Sequence, residues 1–328
     1  MELQPGAYFK VGDEGFEYVG THATQDRLQV VGRLNPEEDS ASGALHRLFD
    51  PEVLEEQGVK IGPFGQEYPY SSYVSERLFW EKNFPGSSET IPHPPKAMIE
   101  VLKRGKEQEI GKNLEAHFLP HISFSKENIV INGHTYDYPQ EWILPRDWFF
   151  DNTKPTPPTN RGEAEIPPRI DPQALTITSG WRLIDTTPRP NYDNDKQMYP
   201  DDPLAPLLQK LTTDGVITPS VPGSRFGISW DQRQQLIDPV IQETLGLPQE
   251  ATIRVLTEGE FNVIGNMFHP EFGQTSTYES LDDQFGSYYR LVSGDSDDGG
   301  LADIGYNWSG SRHGFIGFRP LIVFPSNP

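Results

Sequence analysis

The sequence predicts an α+β protein in two parts: a β-rich N-terminal domain over residues 1–150 and a C-terminal domain over 169–328, joined by a Pro-rich linker at 151–168. Three observations carry that prediction. Short runs of β-branched and aromatic residues, separated by Gly and Asp, open the chain. Helix-start signatures cluster in the second half, and an apolar run closes it.

In chain order, "GAYFKV", "GFEYVG" and "RLQVVGR" read as a meander of short strands. A polar, Tyr-rich stretch follows, "GPFGQEYPYSSYVSERLFWEKNFPG". Ala97, Met98, Val101 and Leu102 then recur at helical spacing. "NIVINGHTYDYP" carries a hairpin signal, with Asn132-Gly133 at its turn. "DNTKPTPPTNRGEAEIPP" holds five prolines among small polar residues, the composition of a stiff, extended spacer.

Beyond that stretch, Asp202 and Pro203 read as an N-cap and first helical position. Leu204, Leu207, Leu208 and Leu211 form one apolar stripe that ends at Gly215. Ser229 with Gln232 makes a capping box for a helix whose buried face is Leu236, Ile237, Val240, Ile241 and Leu245, with a kink or restart at Pro239. Thr257 with Glu260 makes another. "IRVL", "SYYRLV" and "FIGFRPLIVF" are strand candidates.

Composition narrows the function. A formal net charge of −21 opposes a nucleic-acid partner, because the phosphate backbone rewards clustered Lys and Arg, and it opposes anionic membrane surfaces. With no cysteine, disulfides, thiolate metal sites and cysteine nucleophiles are excluded. The first twenty residues lack a basic stretch followed by an apolar core, so no secretory signal is expected. No apolar run approaches the roughly 20 residues that span a bilayer. A soluble protein made in the cytoplasm is expected, a description that a virion component shares.

Three stretches, "GISWDQRQQLIDPVIQETLG", "RVLTEGEFNVIG" and "GFIGFRPLIVF", occur in an order that resembles the C-type-lectin-like fold of formylglycine-generating (sulfatase-modifying) enzymes and their bacterial and phage relatives. The first is similar to that family's strand-into-helix segment. The second resembles its arginine-leucine-proline-threonine-glutamate-alanine-glutamate motif, and the third its terminal glycine-phenylalanine-arginine strand. The resemblance covers about Arg169 to Pro328, half the chain. Physics gives these residues scaffold work: Ser229 and Thr257 cap helices, and Trp230 is an apolar anchor. Arg319, between Phe318 and Pro320, is expected to pair with a carboxylate such as Glu258 or Glu260.

The enzymatic branches of the family fit poorly. Formylglycine-generating chemistry relies on a cysteine pair, absent here. The ergothioneine-type sulfoxide synthases hold iron with three histidines. His117 and His121 have the i, i+4 spacing that shares a metal on a helix, with His46 as a third candidate. Pro120 lies between them and would break that helix, so local packing or capping is the expected role. No Gly-x-Ser-x-Gly elbow, phosphate-binding loop, zincin helix or dinucleotide fingerprint is present.

In this fold the segment before the last strand tends to lie on the ligand-facing side. Here it is rich in Tyr, Ser, Gly, Asn and Trp, the mix that binding loops favour. Tyr288, Tyr289, Tyr306, Asn307, Trp308, Ser309, Ser311, Arg312 and His313 are the candidate ligand-binding residues. Trp308 or a tyrosine could stack on a sugar ring or peptide side chain, and Arg312 could fork onto a carboxylate or phosphate. Asp295, Asp297, Asp298 and Asp303 are candidate Ca²⁺ ligands, although the stretch does not match an EF-hand.

The expected function is therefore a non-enzymatic binding or structural protein: a phage tail-fibre or virion-surface component, oligomeric and assembled with other virion subunits. Its C-terminal head would recognise a host-surface glycan or protein, as in phage receptor-binding and retroelement variable proteins. The alternatives are a cytosolic metal-dependent, oxidase-like enzyme on the same scaffold and a purely structural virion protein without a ligand.

Overall fold

The structure is a computed structural model. It describes residues 76, 80–81, 83–87, 91–92, 94–157 and 165–325, and the backbone of three strands nearer the start. Those strands, β1 Tyr8–Val11, β2 Glu14–Tyr18 and β3 Gly32–Leu34, pair antiparallel in sequence order, the expected meander. Among the described residues no helix is long and apolar enough to cross a membrane.

The rest is mixed α+β, with further sheets of four strands each. One joins β4 Leu114–Leu119, β9 Gly180–Asp185, β10 Thr252–Arg254 and β15 Leu321–Pro325 in the order β10-β15-β9-β4, all antiparallel. A second holds β5 Ile122–Phe124, β6 Asn128–Ile131, β7 His134–Asp137 and β8 Thr176–Ile177. Its β6–β7 turn is Asn132-Gly133, both at positive φ (51° and 86°), as the sequence signal requires. A third runs β13-β12-β11-β14, from β11 Tyr278–Phe285, β12 Tyr289–Ser293, β13 Ile304–Trp308 and β14 Ile316–Gly317.

The expected domain boundary does not separate two cores. Strand β4 lies within 1–150 yet pairs along its whole length with β9, so Phe118 stands opposite Trp181. One cluster of buried apolar side chains runs from Trp80 to Phe324. Trp80 seals the joint by donating its Nε1–H to the Phe118 carbonyl at 2.9 Å. The Pro-rich stretch folds back rather than spacing two bodies: Thr156 and Ile166 exchange backbone hydrogen bonds at 2.9 and 3.0 Å.

Helices follow their apolar patterns. Lys96–Glu107 buries Met98, Val101 and Leu102. Ser229 and Thr257 both form reciprocal capping boxes, with Gln232 and Glu260. Between Trp230–Gln232 and the helix Asp238–Leu245, residues Arg233–Ile237 form a π-helical turn, which absorbs the backbone donor that Pro239 lacks. The helix expected at Asp202 starts later, at Ala205. The Asp202 carboxylate still caps the turn before it, accepting the Leu204 N–H at 2.9 Å, and also accepts from buried Arg225, Nε to Oδ2 at 2.9 Å and Nη2 to Oδ1 at 2.6 Å. Arg319 also departs from expectation. Its partner is Glu279 on β11, while Glu260 is taken by Arg182 and Arg254.

Candidate functional site

The β12–β13 pair sets Tyr289 opposite Trp308 and Arg290 opposite Asn307. Beside it lies a narrow cleft whose volume of about 10 Å³ is that of about one water. Asn307, Trp308, Ser309, Ser311 and His313 border it, five of the residues picked out as ligand-binding, together with Arg290 and Trp230. The Arg290 guanidinium sits over the Trp230 ring, 3.7 Å from its centroid, and donates from Nη1 to the Asp282 carbonyl at 2.7 Å. The Ser309 hydroxyl donates to Asp231 at 3.1 Å. The indole Nε1–H of Trp230 is buried and has no hydrogen-bond partner among the described residues.

The other four candidates lie apart from this groove. Tyr306 does not border it. Tyr306 stacks on Phe285 at 4.3 Å between centroids, with Trp148 beyond. Tyr289 meets Tyr306 edge-on at 5.5 Å. Tyr288 stands 70% exposed. Arg312 is tied down by donating to the Thr218 carbonyl at 3.1 Å and to its hydroxyl, so its fork is partly used.

The aspartates expected as a Ca²⁺ cage do not converge. Asp295 accepts from the Asp297 backbone N–H at 2.9 Å, a turn-closing bond. Asp298 accepts from the Tyr278 hydroxyl at 2.7 Å. Asp303 is buried beside Arg146, at 3.8 Å, and burial with Asp298 and Asp295 raises its pKa to about 6.

Among the described residues the group whose metal-ligating atoms do converge, within 4.8 Å of one another, is Glu115, His117 and His269, all buried. Glu115 and His117 are two residues apart on β4 and so share a face. His269 follows the helix Glu258–Met267, where its N–H bonds back to Ile264 at 2.9 Å. The two Nε2 atoms are 3.2 Å apart, and Glu115 oxygens lie 3.4 Å from His117 Nε2 and 3.8 Å from His269 Nε2. On the far side of each ring a carboxylate holds Nδ1: Glu76 at 3.0 Å from His117, Glu271 at 2.8 Å from His269.

Burial alone would lower the His117 pKa, but Glu76 and Glu115 outweigh it and lift the value to about 9. Burial dominates at His269, whose pKa is lowered despite Glu271. His117 is thus the one histidine of the expected set that joins a cluster. Its supposed partner His121 is exposed, past the end of the strand, with its N–H on Asn132 Oδ1 at 3.3 Å. His46 lies outside the described residues. As Pro120 implied, His117 and His121 do not share a metal: β4 ends at Leu119, and within it Glu115 shares the face of His117. His269 lies 152 residues away and left no local signal. No family model, no curated protein and no solved structure matches this chain.

Proposed function

We propose that this chain is a recognition protein whose C-terminal half, in a C-type-lectin-like arrangement, takes a sugar or a small polar side-chain group against the exposed surface around Trp308 and the cleft beside it. The observation that carries it is the gathering of Asn307, Trp308, Ser309, Ser311 and His313 around one concavity with Arg290. Such sites combine an aromatic wall with a few converging polar groups, and here the wall is 54% exposed. The unpartnered Trp230 Nε1–H adds a donor that a ligand hydroxyl or carbonyl could satisfy.

Support for the fold also comes from the motif residues, which act as scaffold. Ser229 and Thr257 cap helices, and Phe318 and Arg319 lead into β15 between β9 and β10. The setting that the resemblance implies, a virion surface attaching to a host cell, belongs to the same proposal. It is tested by measuring binding of the full chain to whole bacterial cells and to their extracted surface glycans. Saturable binding that falls at least about tenfold in Trp308→Ala is the expected result, since interface tryptophans carry a large share of binding energy. A folded chain that binds no cell and no glycan overturns the reading and favours a purely structural role.

A further inference from the structure

Two imidazoles aimed at one point need a cation between them. His117 and His269 each turn Nδ1 to a carboxylate, Glu76 and Glu271, and so present Nε2 to one another. The two Nε2 atoms face one another across 3.2 Å, with the Glu115 carboxylate on the same side of both. Three carboxylates thus surround the two rings.

We propose that Glu115, His117 and His269 bind one divalent first-row transition ion, zinc or iron(II), as a two-histidine, one-carboxylate centre. On a tetrahedral ion with Zn–N bonds of about 2.0–2.1 Å, two ligand nitrogens stand about 3.3 Å apart, close to the separation these Nε2 atoms already have. Two nitrogen donors select against Ca²⁺ and Mg²⁺, which take oxygen.

The surroundings hold the ligands in that pose. Glu76 is fixed by the Phe118 N–H at 3.2 Å. The His117 ring stacks on Phe268 at 4.1 Å and the His269 ring on Phe272 at 5.1 Å. Glu76 and Glu271 act as positioning residues: they set the tautomer and ring orientation and raise ligand basicity. A single proton shared between the two Nε2 atoms is the rival occupant of the same gap. This centre draws on none of the groove residues, so it stands or falls separately from the recognition reading.

The test uses the full, untagged chain, stripped with chelator and titrated with Zn²⁺ and with Co²⁺ as a coloured substitute, with bound metal counted by elemental analysis. One ion per chain, and a visible Co²⁺ spectrum typical of mixed nitrogen and oxygen ligation, are expected. Glu115→Gln and His269→Asn should abolish that binding. Glu271→Gln, at a half-exposed position that leaves the core intact, should weaken it about 10–100-fold, as loss of an outer-sphere carboxylate does. His121→Ala should leave it unchanged. Two results overturn the proposal: a folded wild-type chain that takes up neither ion, which leaves the proton-bridged pair, or uptake that persists undiminished in Glu115→Gln and His269→Asn, which puts the ion elsewhere.

Discussion

Arg319 and Glu279 form an ion pair with both side chains 1% exposed, Nη2 donating to Oε1 at 2.7 Å and Nε lying 3.1 and 3.2 Å from the two carboxylate oxygens. The guanidinium also donates to the carbonyls of Asp185 and Thr187 and lies 4.1 Å from the Phe272 ring centroid. Removing one partner strands a charge where water cannot reach it. Glu279→Leu should therefore cost about 3–5 kcal/mol in urea unfolding, and the double change with Arg319→Met should recover part of that loss. A double variant as damaged as the sum of the singles would mean the two side chains are not coupled.

Glu260 gives a pH dependence on the acid side. Burial by itself would raise its pKa, but Arg254 first and Arg182 second bring it from 4.5 down to about 2. The unfolded chain then binds this proton at a higher pH than the folded one does. Its stabilisation is complete above about pH 4.5 and is lost as pH falls towards 2, on the order of 3 kcal/mol in all. Calorimetry of Glu260→Gln should show a flatter pH profile than wild type across that window. Parallel profiles would refute the assignment.

These two residues also mark what could be read from the sequence. The Thr257–Glu260 box is a local pattern, four residues long, so both its cap and its helix were legible. The partner of Arg319 was not, because several carboxylates compete for one guanidinium and only the pairing of distant strands selects Glu279. The groove was half legible: composition pointed to the β13 segment, but Tyr306 stacks on Phe285 and Thr218 captured Arg312. The Glu115–His117–His269 group was hidden by distance, and its one local half, Glu115 two residues before His117, is too short a pattern to signal a metal.

Asp283 should act in the opposite sense to Glu260. Burial raises its pKa to about 7, even though it accepts the Glu258 N–H at 2.5 Å. Burial, then Asp283, push the neighbouring Glu258 well above its ordinary value too. The folded state keeps protons that the unfolded chain has released, so this pair makes stability fall as pH rises from about 4, with the Asp283 share complete near 7. Asp283→Asn keeps an acceptor for Glu258 and discards the titration. Its Tm relative to wild type should climb with pH, by up to about 4 kcal/mol in free energy near neutrality. A constant difference from about pH 4 to pH 8 would show that Asp283 stays ionised throughout.

Gly265 tests the packing where the last helix meets the acidic loop. In a helix interior, Gly→Ala ordinarily gains about 1 kcal/mol. Here the added Cβ would stand 2.5 Å from Leu301 Cδ2, 3.0 Å from Cδ1 and 3.3 Å from Cγ. Leu301 cannot retreat easily, because it is 3% exposed and its carbonyl is held by Asn262 Nδ2 at 3.1 Å. Overpacking of this kind costs about 1–3 kcal/mol and should outweigh the propensity gain. Gly265→Ala is expected to destabilise the chain in urea unfolding, and the same change made in a Leu301→Ala background to stabilise it. A stabilising single substitution would mean that the Gly300–Ala302 turn yields, and that this helix face is looser than its burial implies.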